Sequence, residues 1–228
     1  MKLLLTSAGI KNKSIRDTLV DLLGKPIAES NALCIPTATY AHLGGPGKAW
    51  QFITGQASTP MCELGWRSLG VLELSALPSI GEEQWVPLVQ EIDVLLVNGG
   101  DALLLNYWMR QSGLADLLPS LGETLYVGLS AGSMVMTPSI GEDFVRWRPL
   151  TGGDRTLGVA GFSIFPHLDH KDLPENTAEA ETWTAEILVS SYAIDDEAAI
   201  KVVDGTAEVI SEGHWKLFTP EVMEDSAD

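Results

Sequence analysis

At 228 residues with 45% hydrophobic content, the chain can bury one sizeable core and is not a disordered polymer. Its 31 acidic residues against 14 basic ones leave a net charge of −17, which argues against a nucleic-acid partner because nothing would neutralise the phosphates. The two cysteines, Cys34 and Cys62, cannot build a disulfide framework, and neither sits in a metal-ligand cluster.

The chain opens directly on a strand-like run, Leu3 to Ser7, without the charged, apolar and cleavage regions of a signal peptide. No stretch reaches the roughly 20 apolar residues of a membrane span, so a cytoplasmic protein without membrane association is expected. A helix follows over 14–23, with Ser14 as its cap and Gly24 as its stop. Asn31 to Pro36 reads as a second strand with Cys34 buried in it. A glycine-rich exit loop over 37–48 leads to a helix over 50–56. Further strands are expected at 69–74, 94–97 and 124–129, separated by helices at 81–91 and 102–112, the latter capped by Asp101. Phe162 to Pro166 reads as a short strand and 175–189 as a helix. Ile200–Val203 and Glu208–Ile210 form a hairpin around Asp204-Gly205, with a link longer than a simple two-residue turn. Such alternation predicts an α/β fold: three layers, a mostly parallel sheet flanked by helices in the flavodoxin-like manner, and a C-terminal β-hairpin. One domain over 1–220 is expected, followed by an acidic tail at 221–228. Tyr107, Trp108 and Trp147 are candidates to line a pocket, but Tyr107 and Trp108 fall on an expected helix, where packing is the commoner role.

The stretch richest in chemistry is Tyr126-Val127-Gly128-Leu129-Ser130-Ala131-Gly132-Ser133-Met134: an apolar strand, then G-x-S-x-G, then a small-residue helix start. A serine on a sharp strand-to-helix turn projects its hydroxyl from the sheet edge. The next amide, Ala131 N–H, then stands at a helix start where partial positive charge can hold an oxyanion. Ser130 is therefore the candidate nucleophile; the alternative is an ordinary turn between strand and helix. A serine needs a base, and His167 ends the strand over 162–166, at the kind of edge where α/β sheets build sites. His170 is the alternative. His42 lies in a loop and His214 in a terminal turn or strand.

Three pieces together, Val97-Asn98-Gly99-Gly100-Asp101, Gly128-Leu129-Ser130-Ala131-Gly132 and Phe165-Pro166-His167, resemble peptidase family S51, which includes dipeptidase E and cyanophycinase. The resemblance extends from the first strand to the segment 194–200. It implies a class I glutamine-amidotransferase-like fold with serine in place of cysteine at the elbow. It also implies a triad of Ser130, His167 and an acid lying between them in sequence, and it makes a homodimer plausible.

The acid must accept the imidazole Nδ1–H and stabilise the imidazolium. Asp143 is the leading candidate, Glu142 the alternative, and Asp154 a third option. The second oxyanion donor is expected from Gly99 or Gly100, where paired glycines let backbone N–H groups approach a substrate. The relatives usually carry Asn where this chain has Asp101, which weakens a side-chain role there. The implied reaction is hydrolysis of short peptides, with an N-terminal Asp favoured as in dipeptidase E relatives, and with no metal or organic cofactor. A fixed cation would be needed for that preference, and Arg146, Arg148, Arg155 and Lys171 are the candidates. Another serine hydrolase of the same fold, an esterase or a cyanophycinase-like enzyme, stays open, as does a non-catalytic binding module.

Overall fold

The computed structural model describes residues 1–148, 152–170 and 176–220. Its main sheet has seven strands in the order β3 (Ser68–Val71), β2 (Asn31–Ile35), β4 (Val94–Val97), β5 (Leu125–Leu129), β1 (Lys2–Thr6), β8 (Ala198–Val203) and β9 (Thr206–Ser211). The first five run parallel, β8 runs antiparallel to β1, and β9 antiparallel to β8. This is the mostly parallel α/β sheet expected from the sequence, closed by its hairpin.

Period-two alternation sorts each strand's side chains onto two apolar faces. Leu4, Cys34, Leu96 and Val127 pack with Ile15 and Leu19 of α1 (Lys13–Leu23) and Phe52 of α2 (Gly45–Ile53). Leu3, Leu5, Ile35, Leu95 and Val97 pack on the other face. They meet Trp85 and Val89 of α3 (Glu82–Glu91), Leu105 and Met109 of α4 (Ala102–Gln111), and Leu114 of α5 (Leu114–Leu117). Three layers result, and both cysteines are buried free thiols. Among the described residues no helix is long and apolar enough to cross a membrane.

Three local expectations are corrected. The α1 cap is Asn12, whose Oδ1 accepts the Ile15 N–H at 2.9 Å, while Ser14 instead donates its N–H and its hydroxyl to Glu212. α2 starts earlier than expected because Pro46, in its first turn, brings a φ already set for a helix. The hairpin link is shorter: β8 ends at Val203 and β9 begins at Thr206, leaving only Asp204 and Gly205, with φ of 50° and 77°. Positive φ at both central residues is the turn that matches strand twist, so each strand extends further than its apolar core suggested.

A second sheet carries the strand that leads into His167. It has three strands in the order β10 (Trp215–Phe218), β7 (Ser191–Asp195) and β6 (Ser163–Leu168). β6 is an edge strand, which suits Pro166, since proline has no N–H to give a second neighbour. Its pairing with β7 shifts register between Phe165 and Leu168. Phe165, Ala180, Trp183 and Ala193 form a core joining this sheet to α7 (Asn176–Glu186). The expected helix start at Glu175 and the expected acidic tail lie outside the described residues.

Candidate active site

Strand register brings the chemistry to one edge. Thr6 pairs with Leu129 and Val97 with Gly128, so Ser7, Ser130 and the Asn98–Gly100 turn all emerge at the carboxyl ends of adjacent parallel strands. β8 is antiparallel to β1, so its amino-terminal end comes to that same edge, with Ala199 opposite Thr6. The residues just before β8 therefore arrive beside Ser7.

The elbow is built as the motif requires. Ser130 has φ 49° and ψ −111°, a conformation costly for a residue with a side chain, and helix α6 (Ala131–Met134) follows at once. Ser130 N–H donates to Thr6 O at 3.0 Å and the Ser133 hydroxyl donates to the same oxygen at 2.8 Å, tying the turn to β1. Both motif glycines are fixed by close backbone approach. A Cβ on Gly128 would stand 2.5 Å from Gly132 O, and one on Gly132 would stand 2.3 Å from Val97 O. The buried Tyr126 hydroxyl donates to Gly132 O at 2.6 Å and closes the turn from below.

His167 reaches the nucleophile from the second sheet. Its Nε2 lies 3.0 Å from Ser130 Oγ and its Nδ1 lies 2.7 Å from Asp196 Oδ1. With Nδ1–H donated to a carboxylate, Nε2 is the lone-pair nitrogen and is placed to accept a proton from Ser130 Oγ. The backbone here is also unusual, with φ 61° at His167 and 56° at Asp169. Buried Asn176 holds it: its Nδ2 donates to His167 O and its Oδ1 accepts the Asp169 N–H at 2.7 Å.

Asp196 sits in the two-residue turn between β7 and β8, the connection from the small sheet to the large one. The hydrogen bond from His167 holds its carboxyl below the usual carboxylate range. Partial burial opposes that shift, and the charges of His167, Lys11 and His170 reinforce it. Lys11 Nζ is 3.7 Å and His170 Nε2 is 3.8 Å from Asp196 Oδ2. An anion held this way is favoured in its ionised form and can stabilise a protonated imidazole.

The acid that meets His167 is thus Asp196 and not Asp143. Asp143 and Glu142 lie exposed on the single-turn helix Glu142–Phe144, and Glu142 pairs with Arg148 at 3.1 Å. Asp154 is occupied structurally, accepting from Ser139 Oγ and from Gly141 N–H at 3.0 Å. The family resemblance implies an acid between Ser130 and His167, whereas the fold brings Asp196 to His167 from beyond it. The available signal was Asp195-Asp196-Glu197 directly before the apolar run at 198–203. That signal needs the knowledge that this run lies antiparallel beside β1.

A cavity of about 510 Å³ opens over Ser130 and His167. Lys48 and Arg146 bring positive charge to its lining, and His42 lies there too. Arg148 lies instead along a separate cavity beside Tyr107, Trp108 and Trp147, which also contains Arg155; Lys171 lies outside the described residues. Lys48, on α2, was missed because a lysine on an exposed helix face carries no signal of its own. Asp101 also lines the cavity, but its carboxylate caps α4 through Leu104 N–H at 2.8 Å and holds Trp147 N–H at 2.8 Å. Of the two glycine amides, Gly99 N–H already donates to Asn98 Oδ1 at 2.9 Å, whereas Gly100 N–H has no acceptor among the described residues. Among those residues no cluster of His, Cys, Asp or Glu is arranged to hold a metal ion.

An elbow serine on a mostly parallel sheet, met by a histidine, also agrees with what the chain is similar to. The profile of peptidase family S51 matches residues 3–210. The chain belongs to peptidase family S51. It is a hydrolase of the serine-peptidase class. Its fold is shared with a candidate peptidase E protein from Listeria monocytogenes EGD-e, at 19% identity and a TM-score of 0.64, covering 93% of this chain and 98% of that one. A peptidase from an acI-B1 Actinobacterium has the same fold, at 18% identity and a TM-score of 0.69, covering 96% and 94%. No curated protein matches the chain.

Proposed function

We propose that this S51 peptidase hydrolyses short peptides through a Ser130–His167–Asp196 relay. The observation that carries the reading is the continuous chain of contacts from Ser130 Oγ to His167 Nε2 at 3.0 Å and from His167 Nδ1 to Asp196 Oδ1 at 2.7 Å. Ser130 Oγ attacks the scissile carbonyl carbon while its proton passes to His167 Nε2. Ala131 N–H, at the first position of α6, and Gly100 N–H receive the oxyanion. Collapse of the tetrahedral species breaks the C–N bond, and His167 returns its proton to the leaving amine. Water, activated by the same imidazole, then hydrolyses the acyl-enzyme.

The substrate favoured is a peptide with an N-terminal Asp. The support is local: Lys48 and Arg146 line the cavity, and the carboxylate of Asp101 in the same lining has each oxygen engaged by a backbone N–H donor. A short-range cation can select an acidic side chain even on a surface of net charge −17, because long-range repulsion is screened beyond about 8–10 Å. The test is kcat/KM for Asp-X against isosteric Asn-X and against Leu-X dipeptides. An advantage for Asp-X of about 10-fold, or about 1.4 kcal/mol, is expected. Parity of Asp-X with Asn-X removes the acidic preference, and hydrolysis of blocked esters without any dipeptide cleavage makes the protein an esterase.

A further inference from the structure

Each member of the relay is tied to the same two residues at the end of β1. Thr6 O accepts the Ser130 N–H at 3.0 Å. Ser7 Oγ accepts the His167 N–H at 2.8 Å and lies 3.3 Å from Asp196 Oδ1, to which its proton is directed. Ser7 N–H donates to Ala198 O at 3.4 Å, two residues past Asp196. Ser7 is fully buried, so these contacts have no competition from water.

We propose that Ser7 is a positioning residue of the relay: its hydroxyl fixes the Asp196 carboxylate and the His167 backbone together, and so sets how strongly the imidazole is held as a base. The proposal rests on the peptidase reading of Ser130, His167 and Asp196. Its physical content lies in the hydroxyl's inventory of one donor and two lone pairs. One lone pair takes the N–H of a histidine whose φ of 61° must be held by its surroundings, the other lies toward His167 Nδ1 at 3.4 Å, and the proton goes to the carboxylate. The carboxylate oxygen it reaches is Oδ1, the one that also receives His167 Nδ1–H. Lys11 and His170 face Oδ2 instead. Two donors on one oxygen divide its negative charge. Ser7 therefore moderates the pull of Asp196 on the imidazolium while keeping the geometry tight.

Removing the hydroxyl has two separable effects. The His167 N–H loses its acceptor, which a melting curve reads. Asp196 Oδ1 also loses its second donor, binds the imidazolium more tightly and raises the pH at which the base becomes neutral. A purely structural hydroxyl would produce the first effect only. The experiment is the rate of fluorophosphonate labelling of Ser130 as a function of pH, with the full chain, in wild type, Ser7→Ala, Ser7→Cys and Ser7→Thr. Ser7→Ala and the near-isosteric Ser7→Cys are expected to label at least ~10-fold more slowly at the plateau, as for loss of a hydrogen bond to a charged group. Their acidic limb should move to higher pH. Ser7→Thr, which keeps the hydroxyl, should restore both rate and limb. Should Ser7→Ala fail to fold, Ser7→Cys carries the comparison with nearly unchanged volume. An unmoved limb in Ser7→Ala or Ser7→Cys overturns the proposal even if melting falls, and leaves the peptidase reading standing. A wild type whose Ser130 does not label overturns both.

Discussion

The elbow around Ser130 and the turn that carries Asp196 contribute to one site, yet they are specified in opposite ways. Nine consecutive residues, 126–134, hold nearly everything the elbow needs: the apolar strand, two glycines with no room for a Cβ, a strained serine and a helix start. The Asp196 turn has no motif. Its acid is one of three in a row, and it meets His167 because β8 runs antiparallel to β1 and begins at the edge where Ser130 emerges. Local geometry can be encoded locally, whereas a partner placed by topology has to be read from the sheet as a whole.

The sharpest way to break this comparison is at the elbow and its base. Ser130→Ala and His167→Ala should each reduce kcat by about 10⁶-fold, with the double variant scarcely worse, since the two act as one proton-transfer unit. Additive losses in single-turnover assays would dissolve the unit. Next comes the acid. Asp196→Asn should lower kcat by about 10⁴-fold, because an amide supports the wrong imidazole tautomer. Asp143→Asn and Glu142→Gln should stay within about twofold of wild type, as expected of exposed residues without a role at the site. The reverse ranking would return the acid to the segment between Ser130 and His167.

The elbow glycines should show their constraint in stability rather than in rate. Gly132→Ala drives a methyl into Val97 O and should destabilise by about 3 kcal/mol, measurable by denaturant unfolding. A native midpoint would mean that the backbone yields there. A smaller effect concerns acid. The carboxyl of Asp196 is held below its unfolded value, so it binds its proton less readily in the folded chain. Its stabilisation is full above the unfolded carboxylate value near 3.9 and is lost as pH falls through the lower folded value. Wild type should therefore lose more stability than Asp196→Asn between about pH 5 and pH 2 in parallel urea titrations. Equal slopes would remove the ion pair from the account. The smallest effect expected is that of EDTA, which should leave peptidase activity unchanged; metal-reversible loss would require a different mechanism.

What could be read from sequence follows the same division. The strands of the main sheet were legible because buried parallel strands are continuous apolar runs, as in Val94-Leu95-Leu96-Val97. Ser130 and His167, which the structure brings within 3.0 Å of each other, could be singled out because each stands at the end of an apolar run. β10 was missed because Trp215 to Phe218 is mostly exposed and, among the described residues, pairs with β7 alone. The separation of β6 from the main sheet was missed because a short apolar strand looks the same in either sheet. Lys48 entered the cavity only through the way α2 sits beside the catalytic edge.

The placement of His167 on β6 and of Ser130 directly after β5 has a consequence for how the enzyme would fail. The two residues are carried by strands of different sheets, and Asp196 lies between those sheets, in the connection from β7 to β8. A slight parting of the sheets would open the 3.0 Å contact between His167 and Ser130 while every strand kept its own ladder. Catalysis is thus a gauge of sheet-to-sheet registration. In mild urea, activity should disappear before the far-ultraviolet dichroism of the strands and helices changes, and coincident transitions would show that the two sheets part only when the whole molecule unfolds.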